Sequence, residues 1–338
     1  MHIRTFADQA SNHRDYTNGS LTVDSSPAIE NLEIIAKCNL SCSICIRPPR
    51  RGKYIMELDD VKRLVSANRD LLAGQHIWLH HYGEPLLHPH IGKIIEYLEG
   101  EGINTRLSTN ATLLNNKNAR IILDSGLQEI VFSIDGVSSG DYERIRVNAS
   151  YESVLSNVMG FLDMKSELDR AKPETQVQLV NVTGDESYAQ RFIDLWKQTR
   201  VDWINIKNPS TRALGIRDTD MRMRFAERRK GFKGACYWPW STMIILSDGN
   251  IVPCCSDLSG RVVVGNACAS SLLDVWNGAR MRKVRSDHLG GSYESCRVCA
   301  RCPENNGYSM TFEEKAEYEA ARAASNQVLT NHRLIRNG

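Results

Sequence analysis

The chain has 338 residues, of which 41% are hydrophobic and 24% charged, enough for a large core and a smaller second domain. A formal net charge of +2 excludes the strong basic bias of chains that bind nucleic acid or acidic membranes through overall charge. No apolar run approaches the roughly 20 residues that cross a bilayer, and residues 1–26 lack a signal-peptide core, so a cytoplasmic protein is expected, with neither nucleic acid nor membrane as partner.

Residues 1–31 form a polar N-terminal extension. From 32 to 208, short apolar runs alternate with amphipathic stretches. Strands are expected at 32–36, 77–80, 105–108, 129–134, 176–182 and 203–206. Helices are expected at 58–72, 91–99, 116–125, 151–168 and 189–198, where apolar residues recur at three and four spacing. Six strands, each followed by a helix or connection, predict parallel βα units, and such sheets gather their chemistry at the carboxyl ends of the strands. Residues 209–234, rich in Arg, Lys and Asp, mark a connection. In 235–310, the runs 242–246 and 251–253 predict a hairpin turning at Asp248-Gly249, and 272–285 a helix. Residues 311–338 predict a charged helical tail.

The ten cysteines fall into two groups with none between residues 46 and 235. In a reducing compartment such clustering points to metal rather than disulfides. Cys38, Cys42 and Cys45 form a C-x3-C-x2-C run just after the first expected strand. Three thiolates are one short of the four that fill an iron–sulfur cube, and an iron with an open position can hold something reactive. The second group is Cys236, Cys254, Cys255, Cys268, Cys296, Cys299 and Cys302. On spacing alone, zinc completed by a distant ligand is the alternative for either group.

Further polar segments sit at strand ends. Tyr82-Gly83-Glu84-Pro85 follows the second strand, with a glycine that permits close backbone approach and a proline that stiffens the loop. Ser108-Thr109-Asn110 follows the third, and Ser133-Ile134-Asp135-Gly136 the fourth, with Arg144 and Arg146 downstream, either of which can pair with a carboxylate. Each alone is ordinary loop polarity. Arg47, Arg50, Arg51 and Lys53 make a basic run that is a solvated face or a substrate clamp. His80, His81, Asn181, Lys207 and Asn208 are strand-end residues with either a substrate or a structural role.

In this order the segments resemble the radical S-adenosylmethionine (SAM) superfamily. The resemblance implies an α/β fold, a partial (β/α)6 TIM-like barrel, in which Cys38, Cys42 and Cys45 hold a [4Fe–4S] cluster whose open iron chelates SAM. Reductive cleavage of SAM then gives a 5'-deoxyadenosyl radical that removes hydrogen from a substrate carbon. By the same resemblance, Tyr82, Gly83, Glu84 and Pro85 lie at the SAM amino group. Ser108, Asn110, Ser133 and Asp135 serve its ribose or amino acid part, and Arg146 its carboxylate, with Arg144 as the competing choice. Ala111 stands where the family's segment usually has glycine, and Ile46 where many members have an aromatic.

Cys236-x12-Gly249-x4-Cys254 is similar to the opening of the SPASM and twitch domains that follow many radical SAM cores. Gly265-Asn266, residues 272–276 and Cys299-Ala300-Arg301-Cys302 continue the likeness. A small C-terminal twitch/SPASM-like domain is implied, with Cys236, Cys254, Cys299 and Cys302 holding an auxiliary [4Fe–4S] cluster. Cys296 with Cys299 is the alternative register for the last pair. No cysteine follows Cys302, so a single auxiliary cluster is expected.

Within the superfamily the chain looks most like the dehydrogenases of the 2-deoxy-scyllo-inosamine type. That implies oxidation of a sugar or aminocyclitol alcohol, as in aminoglycoside biosynthesis, with the auxiliary cluster as electron acceptor and a flavodoxin or ferredoxin as electron donor. Three other functions are set against it. An epimerase would use a thiol as hydrogen donor, from Cys255, Cys268 or Cys296. A ribosomal peptide maturase is disfavoured because residues 1–31 are too short and polar for a leader-recognition domain. A zinc-dependent binding module is the non-enzymatic reading.

Overall fold

A computed structural model describes residues 6–45, 54–207, 235–300, 302 and 332–337. Ile46, the basic run Arg47 to Lys53, Asn208, the connection 209–234 and residues 303–331 lie outside them. The described strands are β1 (Ala28–Leu32), β2 (His76–Trp78), β3 (Asn104–Thr109), β4 (Glu129–Ser133), β5 (Glu174–Val180), β6 (Trp203–Lys207), β7 (Thr242–Ile245), β8 (Asn250–Val252), β9 (Gly265–Asn266) and β10 (His332–Arg336). They form one sheet in the order β10-β6-β5-β4-β3-β2-β1-β7-β8-β9.

From β1 to β6, every neighbouring pair is parallel, as six βα units of a partial barrel require. The helices between them are α2 (Leu58–Ala67), α3 (Arg69–Leu72), α4 (Ile91–Gly100), α5 (Asn116–Asp124), α6 (Ser139–Ile145), α7 (Tyr151–Glu167) and α8 (Glu186–Trp196). Alternation along the strands separates two faces. Ile77, Leu79, Leu107, Ile130, Phe132, Val177, Leu179, Ile204 and Ile206 are buried in the core, and Phe132 meets Phe161 of α7 edge-on at 5.5 Å. The opposite face carries His80, Ser108, Ser133, Gln178, Asn205 and Lys207. Ser133, Gln178 and Asn205 are in register across three strands.

The first strand lies four residues earlier than expected, inside the span set aside as the extension. Residues 34–36 leave the ladder and pair with an incoming loop, through Met56 N–H to the Ile34 carbonyl (2.9 Å) and Ala36 N–H to the Tyr54 carbonyl (3.0 Å). The expected helix 58–72 is interrupted at Asn68, whose side chain bonds the Leu64 carbonyl and accepts Leu272 N–H. The expected helix 272–285 is two helices, α9 (Leu272–Trp276) and α10 (Ala279–Gly290). Asn277 between them turns its amide onto both backbone groups of Val23. The tail is corrected at 332–336, which is a strand rather than helix: β10 runs antiparallel to β6, from His332 opposite Lys207 to Arg336 opposite Trp203. An edge strand leaves a row of backbone groups unpaired, and β10 supplies their partners.

The C-terminal hairpin is an extension of the same sheet. β7 pairs parallel with β1, and β8 and β9 follow antiparallel. Gly249 makes the tight turn with φ of 79°, the left-handed region that favours glycine. Helix α1 (Phe6–Thr17) and the segment after it clasp this C-terminal part. Tyr16 packs edge-on against Trp240 at 5.5 Å and donates to the Ala235 carbonyl. The indole N–H groups of Trp240 and Trp276 donate to the Ser20 and Ser25 carbonyls. Among the described residues no helix is long and apolar enough to cross a membrane.

Candidate functional site

The triad loop follows β1 and is held by backbone contacts rather than by a helix. Ser41 N–H donates to the Val147 carbonyl, Ser43 N–H to the Ile145 carbonyl and Cys45 N–H to the Cys42 carbonyl. The Gly83-Glu84 backbone presses on it from the other side. A Cβ at Gly83 would sit 1.9 Å from the Ile35 carbonyl oxygen, so only glycine fits, and Glu84 N–H donates to the Lys37 carbonyl at 2.8 Å. From its sequence, Gly83 is expected to admit the close approach of a ligand; the close approach that the structure shows is to the chain leading to the triad.

Glu84 is 2% exposed. Its carboxylate accepts Leu86 N–H (3.0 Å), the Thr109 hydroxyl (2.7 Å) and Asn110 N–H (2.8 Å), so it braces the second loop against the end of β3. Asn110 reaches back to the triad loop, donating to Asn39 Oδ1 at 3.0 Å and standing 3.9 Å from Cys38 Sγ. Ala111, in the position usually glycine, adopts φ of 58° and so keeps the glycine-like backbone despite its methyl. Ser108 and Ser133 are brought together, hydroxyl to hydroxyl, at 3.0 Å. Tyr82 stacks beside His81 at 4.7 Å, and Pro85 is buried.

The structure separates the two arginines. Arg144 is exposed and turned toward Asp141. Arg146, 14% exposed at its side chain, pairs with the buried Asp135 at 2.6 Å and lies 3.8 Å from Cys42 Sγ. Burial works against the Arg146 charge, and Asp135 with the Cys42 thiol more than offsets it, so its pKa stands raised. The Cys42 thiol is pushed up by burial, opposed by Arg146, and raised further by the charges of Cys45 and Cys38. Among the described residues, Arg146 Nε is a buried donor with no acceptor. An orphaned cationic donor beside three converging thiols fits an anionic group held there. Asp135 spends its second oxygen on Val180 N–H at 2.8 Å, which makes it the partner of Arg146 and of β5.

The second cysteine group is assembled from separate segments. Among the described residues, donor atoms of His288, Cys296 and Cys299 lie within 4.8 Å of one another. The charges of Cys296, Cys254 and Cys236 all bear on the Cys299 thiol. The structure thus gathers Cys236, Cys254, Cys296 and Cys299. Cys302 stands one turn beyond, its N–H on the Cys299 carbonyl at 3.0 Å. A hydrogen bond from Cys299, and then His288, lower the Cys296 thiol against its burial, and the same Cys296–Cys299 bond, with burial, raises Cys299. His288 had no signal in the sequence, because nothing in its spacing connects it to the cysteines.

The remaining cysteines have other surroundings. Cys255 packs on Ile244, Leu246 and Val252, and its carbonyl meets His81 Nε2 at 3.1 Å. Cys268 is exposed, with its N–H on Asn266 Oδ1. None of the ten cysteines forms a disulfide.

The profile of the radical SAM superfamily matches residues 32–167, and that of SPASM, an iron–sulfur cluster-binding domain, matches residues 236–303. A probable GTP 3',8-cyclase of Methanococcus maripaludis is 32% identical over 136 residues, 38% of this chain and 43% of its own. The chain thus spans less than half the length of the curated relatives of that kind. The S-adenosyl-L-methionine-dependent 2-deoxy-scyllo-inosamine dehydrogenase of Niallia circulans is 20% identical over 85% of this chain and 96% of its own. In fold, the chain is similar to Streptococcus suis SuiB bound to its precursor peptide SuiA, with a TM-score of 0.60, 16% identity, and coverage of 82% and 70% of the two chains.

Proposed function

The chain carries a radical SAM domain followed by a SPASM domain, uses SAM and iron–sulfur clusters, and from this premise we propose that it oxidises an alcohol carbon of a small polar substrate of the sugar or aminocyclitol kind. The observation that carries the reading is the polar inner face of the barrel. His80, Ser108, Ser133, Gln178, Asn205 and Lys207 line it across β2 to β6, where an apolar substrate would strand their donors and acceptors. The likeness to the aminocyclitol dehydrogenase, which spans nearly the whole of that protein, supports the same substrate class.

Two-electron oxidation of an alcohol carbon removes one hydrogen atom, one electron and the hydroxyl proton, which passes to solvent water. When bound, the first cluster with SAM supplies the 5'-deoxyadenosyl radical and the auxiliary cluster supplies an acceptor for one electron. Cys38, Cys42 and Cys45 would hold the first. Arg146, fixed by Asp135, faces the anionic charge beside Cys42, and Glu84 with Asn110 keeps the loops that flank it in place. Cys236, Cys254, Cys296 and Cys299 would hold the auxiliary cluster, which takes the alternative register of the last pair over Cys302. His80 is kept neutral, its pKa lowered to about 3 chiefly by burial and then by the charges of Lys207 and Arg106. Its Nδ1 accepts Ser108 N–H at 3.2 Å, so the ring proton is on Nε2 and His80 serves as a donor to a substrate oxygen. Cys255, packed on aliphatic side chains, suits packing better than hydrogen-atom donation, and Cys296 serves as a ligand, which leaves the exposed Cys268 as the thiol that an epimerase would need.

The test is anaerobic turnover of the reconstituted enzyme with a panel of aminocyclitols and sugars. A ketone formed in step with 5'-deoxyadenosine is expected. A product of unchanged oxidation state, carrying solvent deuterium at an inverted carbon, would sink the dehydrogenase reading. Iron and sulfide analysis should give about eight irons per chain, the content of two cubes, whereas zinc without sulfide would remove both enzyme readings.

A further inference from the structure

His288 sits in the last turn of α10 and is 4% exposed. Three neighbours fix that turn. Arg285, fully buried, lies 4.4 Å over the Trp276 ring and donates to the Pro239 and Leu21 carbonyls. Asp287 accepts Ser295 N–H at 2.7 Å and so holds the loop that leads into Cys296. Tyr293 packs edge-on against the His288 ring at 5.0 Å.

The ring's own bonding sets its tautomer. Nδ1 accepts the backbone N–H of Cys236 at 3.3 Å, which leaves the proton of the neutral imidazole on Nε2. Among the described residues Nε2 is buried and makes no hydrogen bond of ordinary length, but the imidazole lies in the close group with Cys296 and Cys299, and its interaction with the Cys296 sulfur helps hold that thiol down. A buried N–H without a well-formed hydrogen bond is costly, and the Cys296 sulfur is the acceptor within its reach. Four thiolates already fill a cube, so no iron is left for the imidazole, and a protonated nitrogen is in any case a donor and not a ligand.

We propose that His288 Nε2–H donates a hydrogen bond to a sulfur of the auxiliary cluster and raises its reduction potential. The inference rests on the assignment of that cluster to Cys236, Cys254, Cys296 and Cys299. A donor aimed at a cluster sulfur stabilises the reduced form, which carries the extra negative charge. His288 is thus a tuning residue that makes the auxiliary cluster a better electron acceptor, while Cys236, whose N–H orients the ring, couples the ring to the ligand set.

The experiment isolates the auxiliary cluster in the full chain by Cys42→Ala, reconstitutes it anaerobically and titrates it by EPR at controlled potential. His288→Phe is expected to lower the ratio of reduced to oxidised cluster about tenfold at fixed ambient potential, equivalent to about 59 mV for one electron, with iron and sulfide content unchanged. His288→Gln, whose amide can donate, should recover much of that shift. An unchanged potential in a His288→Phe chain that keeps its cluster overturns the proposal. Should that variant lose the cluster, pulsed EPR of the parent Cys42→Ala chain labelled with 15N-histidine decides. Weak nitrogen coupling with an exchangeable proton supports the hydrogen bond, whereas strong coupling from a bound nitrogen, or none, overturns it. A Cys42→Ala chain that holds no iron overturns the auxiliary-cluster reading and the proposal with it, an outcome distinct from an unmoved potential.

Discussion

The two cysteine groups are built in opposite ways. The first is a single loop of eight residues, Cys38 to Cys45, clamped by backbone contacts from the Gly83 segment and from residues 145–147. The second draws its thiols from three stretches of chain, at Cys236, Cys254 and the Cys296–Cys299 turn, and adds a buried histidine from a fourth. The polar neighbours of the first group, Arg146 and Asn110, stand on loops that follow strand ends, and the second group has His288 from a helix beside it. The first site is thus made from loops at strand ends, and the second is closed on one side by the last turn of α10.

Several measurements would break or sharpen this contrast. The largest effect is expected from Cys42→Ala, which should abolish 5'-deoxyadenosine formation and lower iron from about eight to about four per chain. Cys254→Ala should lose a similar amount of iron yet still cleave SAM, and equal loss of cleavage in both would show that the sites do not divide the work. Next comes Arg146→Met, which leaves Asp135 buried without its cation and should cost about 3–5 kcal/mol in denaturant unfolding. Gly83→Ala, which forces a methyl onto the Ile35 carbonyl, should cost about 1–3 kcal/mol and impair binding at the first site, while leaving the second loaded. The smallest effect belongs to Cys302→Ser. Full iron content in that variant, beside loss of about four irons in Cys296→Ser, would fix the ligand register, and the reverse pattern would restore Cys302.

Much of the barrel was legible because periodicity reports burial. The strands from β2 to β6 and the helices α4, α5, α7 and α8 fall within a few residues of where apolar spacing puts them, whereas α6 has no expected counterpart. The departures come from contacts remote in sequence. Strand β1 starts at Ala28 because β2 and β7 flank it on both sides, which no local pattern can reveal. The 332–336 segment is a strand because β6 needed a partner. At the first site, the cysteine spacing and the order of the strand-end segments were enough to assemble the loop, although the roles of Glu84 and Asp135 as internal braces emerge only from their bonding. At the second, a sequence shows how far apart cysteines are along the chain but not which face of a short helix turns inward, so neither the choice between Cys296 and Cys302 nor the nearness of His288 is legible in it.

Strand β1 has one more consequence, and it concerns biosynthesis. Its two neighbours in the sheet lie far apart in sequence, β2 at His76 and β7 at Thr242. As the chain emerges from the ribosome, β1 can complete one side early but must wait for more than 200 residues of further synthesis before the other side is covered. Contacts of such long range are slow to form, and a waiting edge invites pairing with other chains. Prematurely terminated chains that stop before Thr242 should therefore aggregate through β1, and slow translation of the last third of the message should lower the yield of folded protein.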